Sequence, residues 1–168
     1  RRKFSQLLER LRARFSRIFV DTPASFSFEH LILLAASDAV VYVAEPNDDS
    51  VNVTVATAGG LRRFMDVRAL GTVLNRVPRG VDVSTWVNRL AEVAEVLGLI
   101  PEDEWVGDAF RRNLPVVAVY PEVPASRAMR GIAERLLKLR VPKASLGDRL
   151  ERALAEATGE FRKPPRRT

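Results

Sequence analysis

The chain has 168 residues, 46% of them hydrophobic and 29% charged, enough for one buried core and too apolar for a disordered segment. It holds no cysteine and a single histidine, His30, which excludes a disulfide framework, thiolate metal sites and a histidine-rich zinc cluster. The net charge of +6 sits at the two ends: residues 1–17 carry +6 and residues 161–168 carry +4, around a body of −4. A basic total therefore makes a nucleic-acid partner unlikely rather than announcing one.

In chain order, Phe4, Leu7, Leu8, Leu11 and Phe15 fall at helical spacing, and Ile18-Phe19-Val20 then predicts a buried strand running into Asp21-Thr22-Pro23-Ala24. Residues 28–36 predict a helix and residues 39–44 a second buried strand. Val51-Asn52-Val53-Thr54-Val55 alternates like a strand, yet Val51, Val55, Ala58, Leu61 and Phe64 share a helical spacing. Two parallel strands require a crossover, so a helix is expected over 50–65, with Gly59-Gly60 weakening it. Residues 67–74 form the third expected strand, ending at Asn75-Arg76. A helix over 84–97, a short strand Leu99-Ile100 broken by Pro101, a helix over 104–112 and a strand over 116–119 follow. Beyond Pro121 and Pro124, a helix over 126–139 is expected to bury Met129, Ile132, Ala133, Leu136 and Leu137. The alternation of apolar runs with amphipathic ones predicts an α/β fold with a mainly parallel sheet.

Past Pro142 the character changes. Residues 143–160 predict a tail helix with a narrow stripe of Leu146, Leu150, Ala153, Leu154 and Ala157, and residues 161–168 a basic tail. The expected organisation is one domain over 1–142, then these two segments. The longest apolar run is shorter than the roughly 18 residues of a membrane span, and the start lacks a signal-peptide pattern, so a cytoplasmic protein is expected.

In an open parallel sheet, ligands bind beyond the carboxyl ends of the strands. Asp21, Asn75 and Pro101-Glu102-Asp103 all fall at such ends. An Asp ending a strand suits Mg²⁺, which takes carboxylate oxygen, and equally suits a turn or helix cap. Asn75 offers a donor beside an acceptor, as a purine edge requires, and equally suits a turn.

Ile18-Phe19-Val20-Asp21-Thr22-Pro23-Ala24, Ser37-Asp38-Ala39-Val40-Val41-Tyr42-Val43, Asn75-Arg76 and Leu97-Gly98-Leu99-Ile100-Pro101-Glu102-Asp103 occur in this order, with Asn113-Leu114-Pro115-Val116-Val117 and Pro124-Ala125-Ser126 after them. Over about residues 4–140 this resembles the C-terminal part of a MinD/ParA-type P-loop ATPase, nearest the MinD branch. The resemblance implies a doubly wound sheet with flanking helices, in a protein that hydrolyses ATP with Mg²⁺ as a nucleotide-sandwich homodimer and serves division-site or cargo positioning. It implies that Asp21 is the Walker-B-type aspartate near Mg²⁺, that Asn75 meets the adenine edge, and that the backbone at Pro101, Glu102 and Asp103 lines the adenine pocket.

The sequence departs from the family in three places. Nowhere does Gly-Lys-Ser or Gly-Lys-Thr occur, so the phosphate-binding loop is not among these residues. Phosphoryl transfer depends on the groups that loop supplies, so this chain alone is expected to be inactive. Ser25 stands where the family commonly has Gly, and Asn52-Val53 where MinD proteins often carry Arg-Asp on a partner-facing helix. The family's membrane-binding end is also altered: Asp148, Glu151, Glu156 and Glu160 oppose only Arg149 and Arg152, a poor polar face for anionic lipid. Arg162 to Arg167 keep peripheral membrane attachment among the readings. The chain is thus expected to be a portion of an ATPase whose parent binds ATP and Mg²⁺; the alternative is a P-loop-less interaction or dimerisation module derived from that family.

Overall fold

A computed structural model describes residues 2–22, 28–64 and 67–141. Residues 39–142 form one compact unit, and residues 1–38 belong to another. In the latter unit, α1 (Arg2–Arg14) and α2 (Phe28–Ala36) match the expected helices. One guanidinium nitrogen of Arg12, Nη2, donates to both carboxylate oxygens of Asp38 at 2.6 Å, an ion pair that ties α1 to the residues after α2.

Residues 18–20 are not a strand, contrary to expectation, and Phe19 is 77% exposed. A strand needs a ladder partner for its N–H and C=O groups, and three apolar residues do not supply one. The described ladders all lie elsewhere, in a three-stranded parallel sheet of order β1 (Ala39–Ala44), β2 (Arg68–Val77), β3 (Val96–Pro101).

The ambiguous stretch after β1 is helix α3 (Asp48–Phe64), as the crossover argument requires. Val51, Thr54, Ala58 and Leu61 are its buried residues, a 3.6-residue period, while Val53 is exposed. Asn47 caps it, its side chain accepting from the Ser50 N–H at 2.8 Å. Against α3 lies α4 (Ser84–Val93), tied by the Trp86 indole donating to Asp48 at 2.9 Å and by Arg89 donating to Asn52.

α4 is shorter, and β3 longer, than expected. Ala94 is extended at φ −164, and the Thr72 N–H takes the Glu95 carbonyl at 2.9 Å, so β2 recruits the chain from Val96 onward. Gly71 permits this close approach: a Cβ there would lie 2.7 Å from the Glu95 carbonyl and 2.4 Å from the Leu97 side chain. Long-range pairing outweighs the helical pattern of residues 94–97.

After β3 come α5 (Glu104–Arg111), α6 (Val116–Val119) and α7 (Pro124–Lys138). α6 corrects the strand expected over 116–119. Asn113 turns the chain at φ 53, Pro115 caps the segment, and the N–H groups of Ala118, Val119 and Tyr120 are satisfied locally by the carbonyls of Pro115 and Val116. Local hydrogen bonds thus override the strand preference of three valines.

Successive residues of β2 point to opposite faces of the sheet, and the core is built on both. Leu74 packs with Ala44, Val51 and Leu90 beneath α3 and α4, whereas Val73 packs with Leu97 and Ile132 beneath α7. Helices on both faces of a parallel sheet make this a doubly wound α/β arrangement. On α7 only Ile132 of the expected apolar face is fully buried. Met129 and Leu136 are half-buried, and Ala133 and Leu137 are exposed, because α7 covers β3 along a narrower stripe than its sequence offers. The expected tail helix and residues 161–168 lie outside the described residues.

Candidate functional site

The carboxyl ends of β1, β2 and β3 come together at one edge of the sheet. Asn75 is in register with Ile100 and Val77 with Pro101, and the Glu102 N–H donates to the Val77 carbonyl at 2.8 Å. This holds the Pro101-Glu102-Asp103 turn beside the end of the central strand, next to Asn75. Asn75 is half-buried, and its side-chain amide has no protein hydrogen-bond partner among the described residues. A half-buried amide with both donor and acceptor unused can take a ligand that offers the complementary pair.

Two acidic side chains beside it are already engaged. The Asp103 carboxylate accepts from the Trp105 N–H and from the Ala125 N–H, each at 3.2 Å, capping α5 and fastening the first turn of α7. Glu102 faces Arg76, whose guanidinium lies 3.2 Å from Glu45 and 3.9 Å from Glu102. Arg76 sits at φ 60, a left-handed conformation at the strand end, and spans the ends of β1 and β3 across β2. In the sequence Arg76 stands out only as the neighbour of Asn75. The signal in the sequence is a charged residue at the carboxyl end of each of three successive apolar runs, Glu45, Arg76 and Glu102. All three side chains are half or more exposed, so these pairs position the edge more than they stabilise it.

Of the five residues singled out from sequence, Asn75, Pro101, Glu102 and Asp103 are brought together in the unit of residues 39–142. Asp21 belongs to the other unit, where it is exposed, outside any helix or strand. Among the described residues no group of three or more His, Asp or Glu gathers as a metal cage. A lone aspartate nevertheless suits Mg²⁺ in a nucleotide site, where one or two carboxylates suffice because phosphate oxygens and water complete the shell. Among the described residues no helix is long and apolar enough to cross a membrane.

A parallel sheet covered on both faces by helices, with an unengaged Asn and a Pro-Glu-Asp turn at its carboxyl edge, defines a doubly wound α/β protein. No family model matches the chain. It is 26% identical over 137 residues to an uncharacterized ATP-binding protein of Methanocaldococcus jannaschii, covering 80% of this chain and 51% of that protein. It is 28% identical over 147 residues to the septum site-determining protein MinD of Helicobacter pylori, covering 80% and 54%. The solved MinD of Pyrococcus horikoshii OT3, complexed with Mg-ADP, shares the fold with a TM-score of 0.71 at 21% identity, covering 82% of this chain and 56% of that one. The chain is thus related to the MinD/ParA-type P-loop ATPases, which are its homologues and its structural neighbours over about four-fifths of its length. It spans about half the length of the curated relatives it matches.

Proposed function

We propose that these residues are the C-terminal portion of a MinD/ParA-like ATPase that binds ATP with Mg²⁺ and acts in spatial organisation such as division-site or cargo positioning. The observation that carries this reading is the unengaged Asn75 amide held against the Pro101–Asp103 turn at the carboxyl edge of the sheet. Asn75 meets the adenine edge through its paired donor and acceptor, and the backbone of Pro101, Glu102 and Asp103 forms the wall beside it. Arg76, braced by Glu45 and Glu102, keeps the strand ends in place around the base. Asp21 would be the residue to hold Mg²⁺, which would supply neutralisation of the phosphate charge. The homodimer of the family and the domain extent of 1–142 belong to the same reading. The relatives support it: one is named for ATP binding, two for MinD, and one MinD was solved with Mg-ADP.

The pure chain is expected to release no phosphate from Mg-ATP, because no phosphate loop lies within these residues. Mg²⁺-dependent release, lost in Asp21→Ala, would overturn that expectation. Genomic sequence upstream should encode Lys-Gly-Gly-x-Gly-Lys-Thr in frame; a start codon directly before Arg1 would favour the interaction-module alternative. In the protein carrying that segment, Asn75→Ala should weaken ATP binding about tenfold while leaving inorganic triphosphate binding unchanged, a split that marks a base contact.

A further inference from the structure

A cleft of about 450 Å³ opens at the amino ends of β2 and β3, the opposite edge of the same sheet. Its apolar walls include Ala58 of α3, Leu70 of β2, Val93 at the end of α4, and Leu139. At its rim stand two guanidinium groups. Arg62 spends one N–H on the Val93 carbonyl at 3.1 Å, and Arg68 one on the Arg140 carbonyl at 3.2 Å. Each guanidinium has five N–H donors, so these bonds anchor the groups and leave most donors unused. Among the described residues the one acidic residue lining the cleft, Glu95, is already paired with Arg135 from α7. A third donor comes from half-buried Tyr42, whose hydroxyl has no protein partner among the described residues. Burial pushes that phenol above its ordinary value and Arg62 pulls the other way, so it remains a protonated donor at neutral pH.

From this cavity we infer a second ligand site, one that takes a small amphipathic oxyanion, its carboxylate or phosphate head held by Arg62, Arg68 and Tyr42 and its aliphatic body lying on Ala58, Leu70, Val93 and Leu139. Two cations with no acidic partner among the described residues, beside a phenol, select an anion rather than a neutral polar molecule. The aliphatic lining selects a ligand with an apolar body over free phosphate. The site shares no residue with the carboxyl edge.

The test is a methyl and amide NMR titration of the full chain with octanoate, octyl phosphate, inorganic phosphate and octanol. Octanoate and octyl phosphate are expected to give saturating shifts at Ala58, Leu70, Val93 and Leu139. Octanol should give none, and inorganic phosphate should bind more than tenfold more weakly. The double variant Arg62→Gln, Arg68→Gln should lose about tenfold in octanoate affinity, and Tyr42→Phe about threefold. The changed arginines are exposed and the Phe keeps its ring, so an unchanged melting temperature shows that the fold is intact. No saturating shift up to about 10 mM ligand, a double variant that binds as well as the parent, or shifts confined to the Asn75 edge would each overturn the proposal.

Discussion

Whether a glycine can be replaced depends on what stands where its Cβ would go. Gly60 is helical and has open space there, so Gly60→Ala should raise stability by about 1 kcal/mol, read as a higher denaturation midpoint. Gly71 is the opposite case: its Cβ would collide with the Glu95 backbone, which cannot swing aside as a side chain can. Gly71→Ala should cost about 1–3 kcal/mol in the same measurement. Asp103→Ala removes the α5 cap and the bond to the Ala125 N–H together, and is expected to cost about 1–2 kcal/mol. Asp103 illustrates how far a residue's role is legible from sequence. Pro-Glu-Asp after an apolar strand marks the site and suggests a helix start, but only the fold shows one carboxylate serving both α5 and the start of α7, twenty-two residues on.

Between elements, α5 and the segment after α6 are joined by a polar cluster. The Tyr120 hydroxyl donates to Asp108 at 2.6 Å and accepts from Arg112 at 2.9 Å, while its ring lies 4.6 Å from that of Trp105. The hydrogen bond from Tyr120, then Arg111 and Arg112, hold the Asp108 carboxyl below its ordinary value, and the same bond holds the Tyr120 phenol above its own. The folded carboxyl is the stronger acid, so its contribution is fully present above the unfolded value of about 3.9 and fades as pH falls through the folded value. For the phenol the folded value is the higher one. Its contribution is fully present below about 10 and fades as pH rises through the folded value. Tyr120→Phe should therefore flatten the pH dependence of the melting temperature at both ends and move the Asp108 titration upward, as followed by its carboxyl resonance. The sequence made α5 legible through its apolar spacing. It did not make α6 legible, because Val116-Val117-Ala118-Val119 prefers extended chain until Pro115 and the turn at Asn113 offer nearer hydrogen-bond partners.

For the whole molecule, charge placement decides what the net +6 means. The net positive charge sits in the first 17 and last eight positions, because acidic residues outnumber basic ones in between, so duplex DNA should be bound only weakly and with a steep salt dependence. Deleting residues 1–3 and 161–168 should abolish that residual binding in a fluorescence titration; retained binding would place a nucleic-acid surface on the body instead. The core shows the same dependence on arrangement. Leu90 of α4 is fully buried against Ala44, Val51 and Leu74, which come from three other elements. Leu90→Ala should cost about 2–5 kcal/mol in denaturant unfolding, because neighbours fixed by a sheet and a helix relax poorly into the cavity.

The sequence by itself located α1 to α5, α7, the three parallel strands and the strand-end residues Asn75 and Pro101–Asp103, while also offering strands at 18–20 and 116–119 that do not form, because local periodicity and the need of parallel strands for crossovers reach that far and no further. The strand ladder and side-chain contacts decided the rest. Whether an apolar run is a strand depends on a partner that can lie far away in the chain: residues 96 and 97 join the sheet because β2 takes them, whereas residues 18–20 do not form one. The bracing of the carboxyl edge by Arg76, and the two guanidinium groups beside Tyr42 at the amino edge, likewise exist only after folding. Local sequence carries no record of which distant charges and hydroxyls the strands will set side by side.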